Sequence, residues 1–131
     1  MKKTLLLFSL LISTFCFSQT VFHAQYFQLG MWDSEIDDYE IQGGERADIF
    51  LQGDEDYFIF TIGDETVKSN WTLDKENSSD GFMYFQVEDF EGEPSGIAFS
   101  EEEELYIYIY FAAVDGIWQN VMILSDITVE E

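Results

Sequence analysis

Hydrophobic and polar residues alternate with a period of two through most of this chain, in short runs divided by turn-forming clusters. The runs are TVFHAQYFQLGMW from residue 20, ADIFLQ from 47, DYFIFTIG from 56, TVKSNWTLD from 66, FMYFQVEDF from 82, GIAFS from 96, ELYIYIYFAAV from 104 and IWQNVMILSDITV from 117. Among them stand Gly43-Gly44, Gly53-Asp54, Gly63-Asp64, Asp80-Gly81, the Gly92 to Gly96 segment around Pro94, and Asp115-Gly116. About eight strands spaced by about ten residues predict an all-β domain, a single antiparallel barrel or sandwich with mostly hairpin connections. The tightness of those connections favours an up-and-down barrel. No stretch carries the longer period of an amphipathic helix.

The segment from Glu101 to Leu124 allows a residue-level reading. Asp115 and Gly116 both tolerate the positive φ of a type I′ turn, which predicts Val114 opposite Ile117, Ala113 opposite Trp118, Ile109 opposite Met122 and Tyr108 opposite Ile123. One face of that hairpin then gathers Leu105, Ile107, Ile109, Phe111, Trp118, Met122 and Leu124, a core face. The other gathers Tyr106, Tyr108, Tyr110, Gln119, Val121, Ile123 and Ser125. Tyrosine carries a large apolar ring and a hydroxyl that needs a partner, so such a face suits either a half-wet outer sheet or the lining of a binding cavity. Alternation leaves open which face points inward.

The first residues change the picture. Lys2 and Lys3 precede an apolar run from Leu5 to Phe17, followed by small and polar residues, as in a secretory signal peptide that is too short to span a membrane. Cleavage after Ser18 divides the chain into a leader at 1–18 and a single acidic all-β domain at 19–131. Phe15 stands where lipidation of Cys16 would want a small residue, so the expected product is an unanchored periplasmic or secreted protein. Cleavage also removes the chain's one cysteine, leaving a domain held by packing without disulfides.

Charge narrows the partners. The whole chain carries a formal −22, and loss of the two leader lysines leaves Arg46, Lys68 and Lys75 against 27 acids, or −24. That surface repels nucleic acid and anionic lipid head groups, and no later stretch is apolar enough to embed in a membrane. It favours cations and basic proteins. Aromatic residues are 18% of the chain, too many for a disordered acidic segment.

The residues for catalysis are sparse. The mature part has no thiol, its single His23 lies in an alternating run, and no serine sits in a nucleophile turn. With 27 carboxylates, acid pairs carry no information about glycoside hydrolysis, and zinc would need more His or Cys than exist here. Non-enzymatic function is the expectation, with no tightly held cofactor. Weak calcium binding is the one metal chemistry the acids suit, with Asp33, Glu35, Asp37, Asp38, Asp54 and Asp56 as candidate ligands and Glu101 to Glu104 as a third acidic run. Those last acids equally suit a charge block guarding the aggregation-prone strand that follows. DKENSSDG from residue 74 lacks the offsets and closing Glu of an EF-hand loop.

Two resemblances bear on these expectations. FCFSQT followed by VFHAQYFQLGMWD resembles small exported proteins of Bacteroidota, which implies a periplasmic or outer-surface location. Gly30-Met31-Trp32 is similar to the G-x-W of lipocalins, whose Trp closes one end of a ligand-binding barrel; the chain is shorter than a lipocalin and lacks that family's second motif. By this analogy a small apolar ligand would sit in an aromatic-lined interior, with Tyr106, Tyr108, Tyr110 and Trp32 as candidate contacts. Two readings from other classes compete: an inhibitor or immunity-like protein that captures a basic protein by charge, and a salt-adapted surface protein with no specific ligand.

Overall fold

Each alternating run forms a strand in the computed structural model, which describes residues 20–53, 57–79, 81–88, 94–101 and 103–130. The strands are β1 (Thr20–Asp33), β2 (Asp38–Ile41), β3 (Glu45–Gly53), β4 (Tyr57–Ile62), β5 (Glu65–Leu73), β6 (Phe82–Glu88), β7 (Pro94–Glu101), β8 (Leu105–Val114) and β9 (Ile117–Glu130). From β3 to β9 each pairs antiparallel with the next, and β1 closes the ring by pairing with both β3 and β9. The result is an eight-stranded up-and-down barrel. β2 is additional: it folds back on Gly30 to Asp33 of β1, along the same edge that β3 occupies from Thr20 to Phe27.

The turns follow their residues. Asp115 and Gly116 adopt φ of 53° and 79°, and the β8–β9 register places Val114 on Ile117, Ala113 on Trp118, Ile109 on Met122 and Tyr108 on Ile123, as the turn type dictates. Gly63 at φ 59° makes the β4–β5 turn. The loop between β5 and β6 is organised by Asp74, whose carboxylate accepts from the Asn77 backbone and side chain and from Gln86 at 2.8–3.2 Å. Those hydrogen bonds, the Asn77 side chain first, hold the Asp74 carboxyl below its usual range.

The inner rows of the strands are apolar. Phe22 and Ala24 of β1, Ile49 and Leu51 of β3, Phe58 of β4, Met83 and Phe85 of β6, Ile97 and Phe99 of β7, Leu105 and Ile107 of β8 and Leu124 of β9 form one core. Rings fill its centre. Phe99 lies 5.0 Å from Phe22, 5.9 Å from Phe58 and 5.7 Å from Phe85, and Trp71 stands edge-on to Phe85 at 4.9 Å. Burying one such phenylalanine contributes about 1.5–3 kcal/mol, so this cluster dominates the packing. Among the described residues no helix is long and apolar enough to cross a membrane.

The inner row must change phase along β1 and β9, since Ala24 and Ile127 both belong to the core, as do Phe27 and Leu124. Two residues intervene on each strand, and the β1–β3 register slips between Ala24 and Tyr26. Asp126 takes a left-handed φ of 53° there. Arg46 pins the site, donating to the Asp126 carboxylate at 2.8 Å and to the Gln25 carbonyl at 3.4 Å. Beyond the bulge the even residues of β1 face outward, and a Cβ on Gly30 would lie 2.6 Å from Ile41 Cδ1 and 2.9 Å from Val121 Cγ1. Gly30→Val should therefore lower stability by about 1–3 kcal/mol through overpacking, seen as a lower urea midpoint at unchanged slope. An unshifted midpoint would mean that β2 does not pack on this glycine.

Candidate functional site

The two ends of the barrel differ. At the end bearing Thr20, Leu73, Phe82, Glu101 and Leu105, the aromatic cluster fills the interior. Towards the other end, marked by the Gly63-Asp64 and Asp115-Gly116 turns, the inner rows enclose a cavity of about 280 Å3 that opens to solvent. Phe60, Ile62 and Val67 line it from β4 and β5, Ile97 from β7, Ile109 and Phe111 from β8, and Met122 from β9. Leu51 and Phe58 are also on its wall. Three polar side chains join them: Glu65 and Ser69 on β5, and Ser95 on β7. The cavity lies beside the one narrow seam of the sheet, where β5 meets β6 only from Trp71 to Leu73.

Exposed apolar side chains gather at the open end, among the acids of its turns. Of the seven large hydrophobic residues that stand exposed among the described residues, Leu29, Met31, Ile36, Ile41, Val114 and Ile117 all belong to the β1–β2 and β8–β9 hairpins at this end; Phe50 is the exception. Leu29 and Met31 continue the inner row of β1 past the end of β3, opposite Met122 and Asn120 of β9. The wall of the cavity is thus prolonged into an apolar lip.

The tyrosines lie on the other side of the sheet. Tyr106, Tyr108 and Tyr110 share the outer face of β8, their successive rings 6.4 and 6.3 Å apart, and none lines the interior cavity. The core face of the hairpin points inward from Leu105 through Phe111. The reason is complementary size: β7 presents Gly96 and Ala98 outward between bulky neighbours, Ala98 pairing with Tyr84 and Tyr108, and Gly96 with Gln86 and Tyr110. A Cβ on Gly96 would meet the Tyr84 hydroxyl at 2.5 Å. The tyrosines therefore pack as an outer tier over β7. Burial within it, with the neighbouring Tyr39, Tyr108 and Tyr84 adding to the effect, pushes the Tyr110 phenol up to about 12.

Trp118 joins that outer tier, not the core face that alternation assigns to it. Its indole donates to Tyr84 Oη at 3.1 Å, and its carbonyl accepts from the Tyr39 hydroxyl at 2.7 Å. Ala112, at φ 60°, lies just before the hairpin tip where the alternation breaks. Trp32 is also on the outer side, edge-on to Tyr39 at 5.2 Å. The four candidate contacts from the sequence thus lie outside the barrel.

The acids of the first hairpin shape its turn. Asp33 accepts from the Glu35 backbone N–H at 2.9 Å, Asp38 accepts from its neighbour Tyr39 at 2.8 Å, and Asp37 supplies the left-handed residue at φ 54°. Asp54 and Asp56 lie outside the described residues. Among the described residues no three acidic, His or Cys side chains converge as a metal site. His23, on the outer face, stacks on Phe50 at 4.4 Å and meets the Asp48 carboxylate at 2.9 Å.

Glu101 departs from the reading of its run as a solvated charge block. It ends β7 on the inner row with Ile97 and Phe99, is 6% exposed, and its Oε2 has no hydrogen-bond partner. Burial raises its carboxyl above the usual range. Glu103 and Glu104 are exposed.

No protein-family model, no curated protein and no solved structure matches this chain. The functional reading rests on the geometry of the open end.

Proposed function

We propose that this protein is an exported, non-enzymatic binding module that takes a small apolar ligand into the open end of its barrel. One observation carries the reading: an apolar cavity, open to solvent, lies at the same end as six exposed apolar residues, of which Leu29 and Met31 continue the inner row of β1. Ligand sites are concave, mostly apolar and furnished with a few polar groups, and about 280 Å3 is at the small end of their range. Exposed apolar surface gathered at one end gives an incoming apolar molecule a route from water to the interior. The acidic exterior keeps such a protein soluble despite that lip.

A neutral fluorophore, N-phenyl-1-naphthylamine, tests this reading. Its emission should rise and saturate on titration with the protein. Val67→Phe, which projects a ring into empty space from the inner row of β5, should abolish that rise and leave the thermal midpoint at or above wild type. No saturable binding by the wild type, or undiminished binding by a folded Val67→Phe variant, would overturn the proposal.

A further inference from the structure

The cavity wall is apolar except at three places, and these define a direction. Glu65 and Ser69 stand two turns of alternation apart on β5, and Ser95 faces the cavity from β7. Glu65 is the one charged side chain on the wall among the described residues. It pairs with Ile62 across the Gly63-Asp64 turn, at the rim, and is itself exposed. A ligand entering tail first would leave its head beside this carboxylate.

The charge of that head follows from two independent features. Locally, a carboxylate brought against an uncharged or anionic head loses hydration without compensation, whereas an ammonium group gives it a charge-assisted hydrogen bond. Globally, 27 acids against five strong bases produce a negative field that concentrates cations at the surface and repels carboxylates and phosphates. Fatty acids and phospholipids are poor candidates for both reasons. From this arrangement we infer that the ligand is a small cationic amphiphile, an amine whose apolar tail occupies the cavity and whose ammonium head pairs with Glu65. This inference rests on the proposed apolar site and specifies its ligand class. Size sets the tail: about 280 Å3 is roughly nine water-sized volumes, room for about eight carbons and no long lipid chain.

Isothermal titration calorimetry with octylamine, octanol and octanoate at neutral pH and low salt separates the possibilities, since the three share a tail. Octylamine should bind about tenfold more tightly than octanoate, the equivalent of one charge-assisted hydrogen bond, with octanol between them. Glu65→Gln should weaken octylamine about three- to fivefold, as loss of one exposed ion pair would, and leave octanol unchanged. Glu130→Gln, an equal change of net charge at the opposite end, should leave octylamine unchanged. Equal affinities for the three, or preference for octanoate, would overturn the cationic head and leave the apolar site standing. An amine preference that Glu65→Gln and Glu130→Gln alter equally would overturn the assignment to Glu65. Failure of all three to bind, together with no saturable N-phenyl-1-naphthylamine signal, would remove the apolar site and this inference with it.

Discussion

Phe99→Ala should destabilise the protein by about 3–5 kcal/mol, the largest effect expected of any single truncation here. Phe99 is fully buried at the middle of the inner row of β7, with Met83 and Ile107 as its cross-strand partners. Its ring touches a set that spans the barrel, Phe22 on β1, Phe58 on β4 and Phe85 on β6. Those neighbours are themselves rings in fixed sheet positions, so the space left by truncation cannot close by a small rotamer change, and the cavity penalty adds to the lost transfer energy. A domain of this size has only about 5–15 kcal/mol to lose. Phe60→Ala should cost distinctly less, because Phe60 already borders the empty end and has fewer packed contacts to lose. Urea unfolding of the two variants measures the contrast. If Phe99→Ala proved no more harmful than Phe60→Ala, the division into a packed half and an open half would be wrong.

That division was not legible in the sequence, although most of the sheet was. Alternation marked eight of the nine strands among the described residues, and the Asp115-Gly116 turn gave the β8–β9 register residue by residue, because both signals are local and the turn chemistry leaves few alternatives. β2 was missed for an equally local reason. Its four residues, Asp38 to Ile41, lie in a run of acids that reads as a loop, and it becomes a strand by pairing with β1 and by packing Tyr39 and Ile41 near Gly30. Closure through β1 and β9 joins opposite ends of the chain and leaves no local trace.

The orientation of the faces needed information from a third strand. Considered alone, the tyrosine row of β8 suits a cavity wall or an exterior equally well. The deciding residues are Gly96 and Ala98 on β7, whose small outward side chains make the space that Tyr84, Tyr108 and Tyr110 fill. Trp118 was assigned to the wrong face because Ala112 adopts a left-handed conformation that alanine rarely takes, and no glycine announces it. The cavity itself had one visible signal: Glu65 and Ser69 interrupt the inner row of β5, and Ser95 begins that of β7, all towards the same end. A row that turns polar at one end is a row that stops packing there.

Glu101 is the inner-row polar residue at the packed end, and replacing it should stabilise the protein. Its carboxylate is nearly fully buried with one oxygen unpartnered, so each folded molecule carries the desolvation penalty of that group. Glu101→Met keeps the length of the side chain and removes the need for a partner, and should raise stability at pH 7 by about 1–3 kcal/mol. The gain must depend on pH in a definite sense. Because burial raises the folded-state value above the unfolded one, the folded protein holds this proton more tightly, and Glu101 weakens the fold progressively as pH rises from the unfolded value through the folded one. Well below the unfolded value the side chain is neutral in both states, and the difference between wild type and variant should shrink. The pH profile of wild type alone would not show this, since the other acids repel one another more strongly as they ionise. The difference between the two proteins isolates the one carboxyl. Urea midpoints for both at pH 4 and pH 7 test it: an advantage to Glu101→Met that grows with pH is expected, whereas equal stability at pH 7, or a loss, would mean that the carboxylate finds water or a cation in solution.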